Sequence, residues 1–204
     1  MMLVLAILAA AAAADPQTLG LEPGGSAVVT RAIDGDTVVL EDGQEVRLVG
    51  IMAPKLSLGR ASVADQPLAY EARDALADLV EGRTVSLAYG GTRIDRHGRL
   101  LAHLFLEDGT WVQGRMLESG LARVYTFADN RAAAADMLAR EDSARQARRG
   151  IWAEWFYAVR DGARPESVPL DSFEIIEGTI VDAAEVDRRV YLNFGEDWKV
   201  DVTG

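Results

Sequence analysis

Residues 26–52 read SAVVTRAIDGDTVVLEDGQEVRLVGIM. Apolar and polar positions alternate along this stretch, which predicts strands near 27–33, 36–41 and 44–52. The segment Glu41-Asp42-Gly43-Gln44 carries the Asp-Gly pair that two-residue hairpins favour. Beyond it, residues 53–65 are rich in Pro, Ser, Gly and Ala and read as a loop. A helix is expected over 66–81, with Pro67 in its first turn, an apolar stripe of Leu68, Ala72, Ala75, Leu76 and Leu79, and Gly82 as its stop. Strand patterns return at 83–89 and 99–106. An Asp108-Gly109 turn then leads through Trp111 to a short helix over 112–119, closed by Gly120. A longer helix is expected over 130–149, with Ala134, Met137, Leu138 and Ala144 inward and Gly150 ending it. Ile151, Trp152, Trp155, Phe156 and Tyr157 form an aromatic cluster expected to pack back on the core. Three strands, a helix, two strands and two helices is the order of a mainly β fold with helices (α+β). It predicts a five-stranded OB-type Greek-key barrel with three helices.

The rest of the chain sets the context. With 204 residues and 49% hydrophobic composition, the chain holds one substantial domain with some remainder. The absence of cysteine excludes a disulfide framework, a thiolate zinc site and a cysteine nucleophile. His97 and His103 are the only histidines, so motifs such as H-E-x-x-H are excluded. The formal net charge of −11 requires that any nucleic-acid site be a local positive patch on an acidic body. Residues 1–14 contain a wholly apolar run, LVLAILA, followed by alanines, and read as a signal peptide of an exported, periplasmic or secreted protein. Once it is removed no stable membrane anchor is expected, and the protein is read as a monomer. Residues 15–25 read as a linker and 26–158 as the barrel domain. Residues 165–204 carry ten acidic against three basic side chains. Strand patterns at 173–181, 189–194 and 198–202 make this segment a short acidic β extension, read as the start of an incomplete second β domain.

Three clusters in the barrel carry chemistry. Ile33-Asp34-Gly35-Asp36-Thr37 joins two strands; Arg47-Leu48-Val49-Gly50 lies on the third; and Arg93-Ile94-Asp95-Arg96-His97-Gly98-Arg99 runs directly into another strand. Together they offer an acid to anchor a cation and two guanidiniums that fork onto phosphate oxygens. Asp36, Arg47 and Arg99 are expected to converge at the barrel rim. His97 is expected in an exposed loop, and His103 and the four tryptophans as packing residues.

At these residues the sequence resembles the staphylococcal nuclease (thermonuclease) family. The resemblance runs through I-D-G-D-T-V, E-V-R-L-V-G-I-x-A-P, D-R-H-G-R-L-L-A and L-x-S-G-L-A-R-V-Y to Gly150-Ile151-Trp152, over about residues 26–155. It implies an OB barrel and calcium-dependent hydrolysis of phosphodiester bonds in DNA and RNA. It also implies Asp36 as a calcium ligand, Arg47 as the contact to the scissile phosphate, and Arg99 as the group stabilising the pentacoordinate transition state.

Two positions depart from that pattern. Where the family has V-D-T-P-E, with an aspartate as second calcium ligand and a glutamate as general base, this chain has Ile51-Met52-Ala53-Pro54-Lys55. Calcium takes six to eight hard oxygen ligands, and a thioether supplies none. Lys55 brings an ammonium close to where the cation would sit. This predicts an altered or lost hydrolytic activity, or a calcium-independent anion site formed by Lys55, Arg47 and Arg99. Three readings follow: a phosphodiesterase, a non-catalytic module binding DNA, RNA or a phosphorylated small ligand, and a protein-interaction module.

Overall fold

The structure, a computed structural model, describes residues 15–61, 63–164, 168 and 173–195. Residues 1–14, expected as a signal peptide, and the strand expected at 198–202 lie outside the described residues. The described chain divides into two units, one ending at Trp152 and one beginning at Ala153.

In the first unit, β1 (Glu22–Asp34), β2 (Thr37–Leu40), β3 (Glu45–Leu48), β5 (Thr84–Tyr89) and β6 (Leu100–Leu106) close a barrel in the order β1-β2-β3-β6-β5. The β3–β6 pair is parallel and the other neighbours are antiparallel. With α1 (Ala69–Val80), α2 (Val112–Glu118) and α3 (Ala134–Gln146), this is the expected OB-type α+β fold. The period-2 alternation sends Val38, Val46, Leu48, Val85, Ala102 and Leu104 into a buried core. Intervening residues such as Arg47 are left on the outer face.

Several boundaries differ from the sequence pattern for local reasons. The first strand begins at Glu22, because Glu22 and Pro23 pair with Tyr89 and Ala88; residues 22–25, read as linker, are therefore strand. The strand expected over 44–52 is broken by Gly50, whose φ of +86° turns the chain. Beyond that turn β4 (Gly50–Met52) pairs with β7 (Arg123–Tyr125), a strand too short to leave a periodic signal. The first helix starts three residues late, because Leu68 sits in the left-handed region at φ 63°. Its buried stripe is Ala69, Ala72, Leu76 and Val80, so Leu68 and Ala75 are not on the core face. In α3 the buried positions are Met137, Glu141 and Ala144, while Leu138, read as inward, is half exposed. Glu141 takes a core-facing position because its carboxylate accepts the Val124 N–H of β7.

The second unit holds a 3-10 turn (Trp155–Tyr157), a parallel pair of β8 (Arg160–Asp161) with β9 (Ile176–Glu177), and a hairpin of β10 (Asp182–Val186) and β11 (Arg189–Asn193). Most of the strand expected at 173–181 is therefore irregular. Trp155 and Phe156, expected to pack inward, are exposed, with the Arg160 guanidinium 5.0 Å over the Trp155 ring; of the expected cluster Ile151 and Tyr157 are buried. No helix among the described residues is long and apolar enough to cross a membrane.

Two packing details generate tests. A Cβ on Gly35 would lie 2.6 Å from the Ala53 Cβ and 2.7 Å from the Ala72 Cβ, so the Asp-Gly-Asp turn is pressed against α1 and the loop after β4. Gly35→Ala is expected to destabilise the fold by about 1–3 kcal/mol, read as a lower urea midpoint; an unchanged midpoint would contradict this close approach. His103 is buried, and its Nδ1 accepts the Trp111 Nε1–H at 3.3 Å. Burial lowers its pKa from 6.5 to about 4. Between those values the unfolded chain takes up a proton that the folded chain refuses, so stability present above pH 6.5 is lost as pH falls toward 4. The expected loss is about 3 kcal/mol. His103→Gln removes this contribution, so urea melts of the two proteins at pH 7 and pH 4.5 should show a shallower decline in the variant.

Candidate nucleic-acid interface

Asp36 is fully buried in the turn between β1 and β2. Burial works to raise its pKa, but the Arg47 guanidinium, the Lys55 ammonium and the Ala53 N–H overcome it and hold the carboxyl below the usual range. Its Oδ2 takes Lys55 Nζ at 2.7 Å, the Ala53 N–H at 2.8 Å and Arg47 Nη2 at 3.2 Å. Its Oδ1 accepts the Thr37 hydroxyl at 3.3 Å. Asp34 accepts the Asp36 N–H, and its own pKa is pushed up, by burial first and by the neighbouring Asp36 charge second.

Arg47 faces Thr37 on β2 and Leu101 on β6, so its guanidinium reaches back over the start of β4. Nη1 donates to the Asp36 carbonyl at 3.3 Å and to the Leu48 carbonyl at 2.6 Å. Nη2 donates to the Ile51 carbonyl at 2.7 Å besides meeting Asp36. Of its five N–H donors, these contacts leave only Nε for an outside ligand. Arg47 therefore staples the bend that Gly50 creates, which no pattern in the sequence discloses.

Lys55 is delivered by a braced loop. Its N–H donates to Gln66 Oε1 and its carbonyl accepts the Gln66 N–H, at 2.8 and 2.9 Å. Asp65 holds the same loop through Ser57 N–H and the Tyr70 hydroxyl. The Lys55 side chain is 31% exposed, so the ammonium closes over Asp36 with one side toward solvent.

Arg99 forms a pair of its own with Asp95. Nε and Nη2 both donate to Asp95 Oδ2, at 2.8 and 2.7 Å. Asp95 Oδ1 accepts the His97 and Arg99 N–H groups, tying off the loop before β6. Burial opposes the charged form of Asp95, but the Arg99 bonds outweigh it and lower its pKa. Nη1 of Arg99 makes no hydrogen bond among the described residues, and the side chain is about a third exposed. The parallel register pairs Arg47 with Leu101, and an extended chain puts Arg99, two residues earlier, on the same face. His97 is exposed, and Glu71 faces water.

These residues do not suit calcium. Asp36 Oδ2 is already bonded by two cations and an amide, and Met52 offers sulfur where the family pattern has a second carboxylate. Among the described residues no three His, Cys, Asp or Glu side chains are grouped to hold a metal ion.

A closed five-stranded barrel thus carries an Asp-Gly-Asp turn, an arginine on β3 and an arginine immediately before β6. Residues 45–154 match the family model of staphylococcal nuclease homologues, and the chain belongs to that family. It is 35% identical over 131 residues to a protein of Escherichia coli O157:H7 described as an uncharacterized endonuclease, covering 62% of this chain and 76% of that one. It is 33% identical over 137 residues to endonuclease YncB of Bacillus subtilis, covering 65% and 64%. It is 33% identical over 110 residues to the thermonuclease of Staphylococcus intermedius, covering 52% and 64%.

Lys55→Met removes one of the two cations on a buried carboxylate while Arg47 remains. The expected cost at pH 7 is about 1–3 kcal/mol, below the full ~3–5 of an orphaned charge. Because the folded pKa of Asp36 is lowered, its pairing stabilises the chain above the ordinary carboxylate value of 3.8 and is lost as pH falls through the lower folded value. The gap between wild type and variant in urea melts should therefore narrow as pH falls from 7 through the carboxylate range. A gap that does not narrow would contradict the pairing.

Proposed function

We propose that this chain binds the phosphodiester backbone of DNA or RNA without calcium and without cutting it. The observation that carries this reading is the 2.7 Å contact of Lys55 Nζ with Asp36 Oδ2. The ammonium takes the place of a cation at the carboxylate, and it stands where the family's general base would stand. Donating to Asp36 as an ammonium, Lys55 has no lone pair with which to take a proton from water.

Its solvent-facing side and the unbonded Nη1 of Arg99 offer positive charge to a phosphate on an otherwise acidic protein. Arg47 supports this surface by fixing the bend beneath it. A phosphorylated small ligand would use the same charges. Export, expected from the apolar N-terminal run, belongs to the same proposal.

Membership of a family with endonuclease relatives favours a second reading, hydrolysis by altered metal chemistry, and one assay separates the two. Wild-type protein and the Met52→Asp/Lys55→Glu variant are incubated with fluorescent single- and double-stranded DNA and RNA, with calcium, magnesium, manganese or chelator. Binding is measured by anisotropy in parallel. The proposal expects salt-sensitive binding by the wild type that chelator does not abolish, no cleavage by the wild type, and calcium-dependent cleavage by the variant. Cleavage by the wild type that Arg99→Ala abolishes would establish the second reading instead. Binding that appears only with calcium would overturn the calcium-independent site.

A further inference from the structure

Helices α2 and α3 enclose a surface cleft of about 740 Å³ that shares no residue with the Asp36–Arg47–Lys55 cluster. Its lining includes three arginines, Arg115, Arg140 and Arg149, against two acids, Glu118 and Asp136, with Ser143 between them. This is a local excess of positive charge on a chain whose net charge is −11.

The arginines are held rather than scattered. The Glu118 carboxylate bonds Arg140 through one oxygen and Arg115 through the other, the latter at 3.4 Å, while Arg149 Nη1 donates to the Glu118 carbonyl at 3.1 Å. One residue thus gathers three guanidiniums, and each keeps N–H donors beyond those bonds. Arg140 also lies 5.3 Å over the Trp111 ring, which fixes the plane of its fork.

Gly114 gives an independent sign that this arrangement is built. It sits inside α2, where glycine weakens a helix. A Cβ there would come within 3.1 Å of both Cδ and Nε of Arg140 and 3.0 Å of the Trp111 ring. Glycine leaves room for the Arg140 stem to lie against α2.

We infer that this cleft is a second anion site, for the diphosphate group of pyrophosphate or a nucleoside diphosphate. Planar guanidinium forks match phosphate oxygens bidentately, three of them exceed what a single phosphate needs, and the volume falls in the range of small-molecule sites. The inference does not depend on the barrel-face reading, because the residues are different.

The test is isothermal titration of the full chain with pyrophosphate, ADP and inorganic phosphate at low salt. The same titration is run on Arg115→Ala, Gly114→Ala and Lys55→Met. Arg115 is about half exposed, so its truncation leaves the fold intact. Saturable pyrophosphate and ADP binding is expected, tighter than for inorganic phosphate. Arg115→Ala should weaken it about tenfold or more. Gly114→Ala should weaken it without lowering the thermal midpoint, a separation that a purely structural glycine would not show. Lys55→Met removes the charge that the barrel face offers to phosphates, so the cleft is read as the binding that remains in that variant. Absence of saturable binding in Lys55→Met, or no weakening of that binding when Arg115→Ala is added, would each overturn the site. Displacement of pyrophosphate by an oligonucleotide lacking terminal phosphates would reassign the cleft to nucleic acid and overturn the small-ligand assignment.

Discussion

A carboxylate with no exposed surface must be compensated by charge or by hydrogen bonds, and at Asp36 the compensation is an ammonium on a tether. Lys55 and Arg47 together neutralise what burial would otherwise make too costly. The rest of the face follows from that requirement. The loop after β4 is braced by the reciprocal Lys55–Gln66 bonds and by Asp65, so that Nζ reaches Oδ2. The bend at Gly50 is stapled by Arg47, so that β4 can leave the barrel and pair with β7. A divalent ion in the same place would bind through several oxygens and present open coordination positions to water and phosphate. An ammonium offers hydrogen bonds and one positive charge, and nothing with which to activate water.

The family's architecture is retained around a changed centre. The barrel, the Asp-Gly-Asp turn, the strand arginine and the arginine before β6 are all present, and each makes the contacts that keep its element in place. At that centre Lys55, Arg47 and the Ala53 N–H satisfy Asp36, and Met52 stands where the family pattern has an acid.

Much of this was legible in the sequence, because the barrel strands obey a period of two and the turns carry Asp-Gly. The sequence expectation groups Asp36 with Arg47 and Arg99; Asp36 and Arg47 do meet, and the third partner in contact with Asp36 is Lys55, from the loop after β4. The remainder depended on groups that sequence patterns do not register. Arg47 turns toward the backbone carbonyls of Asp36, Leu48 and Ile51, which the bend at Gly50 brings within its reach. Leu68 adopts a left-handed conformation that shifts the helix start, and with it the buried stripe to Val80. Arg99 meets Asp95 within its own loop, a pairing that the charged run 93–99 leaves among several possible ones. The α2–α3 cleft depends on Gly114, which in sequence is only an unfavourable helix residue.

The most direct measurement is a crystal structure of the wild-type protein grown and soaked in millimolar calcium. The account predicts Lys55 Nζ within hydrogen-bond distance of Asp36 Oδ2 and no cation between them. A calcium ion on Asp36, with Lys55 swung out to solvent, would contradict it.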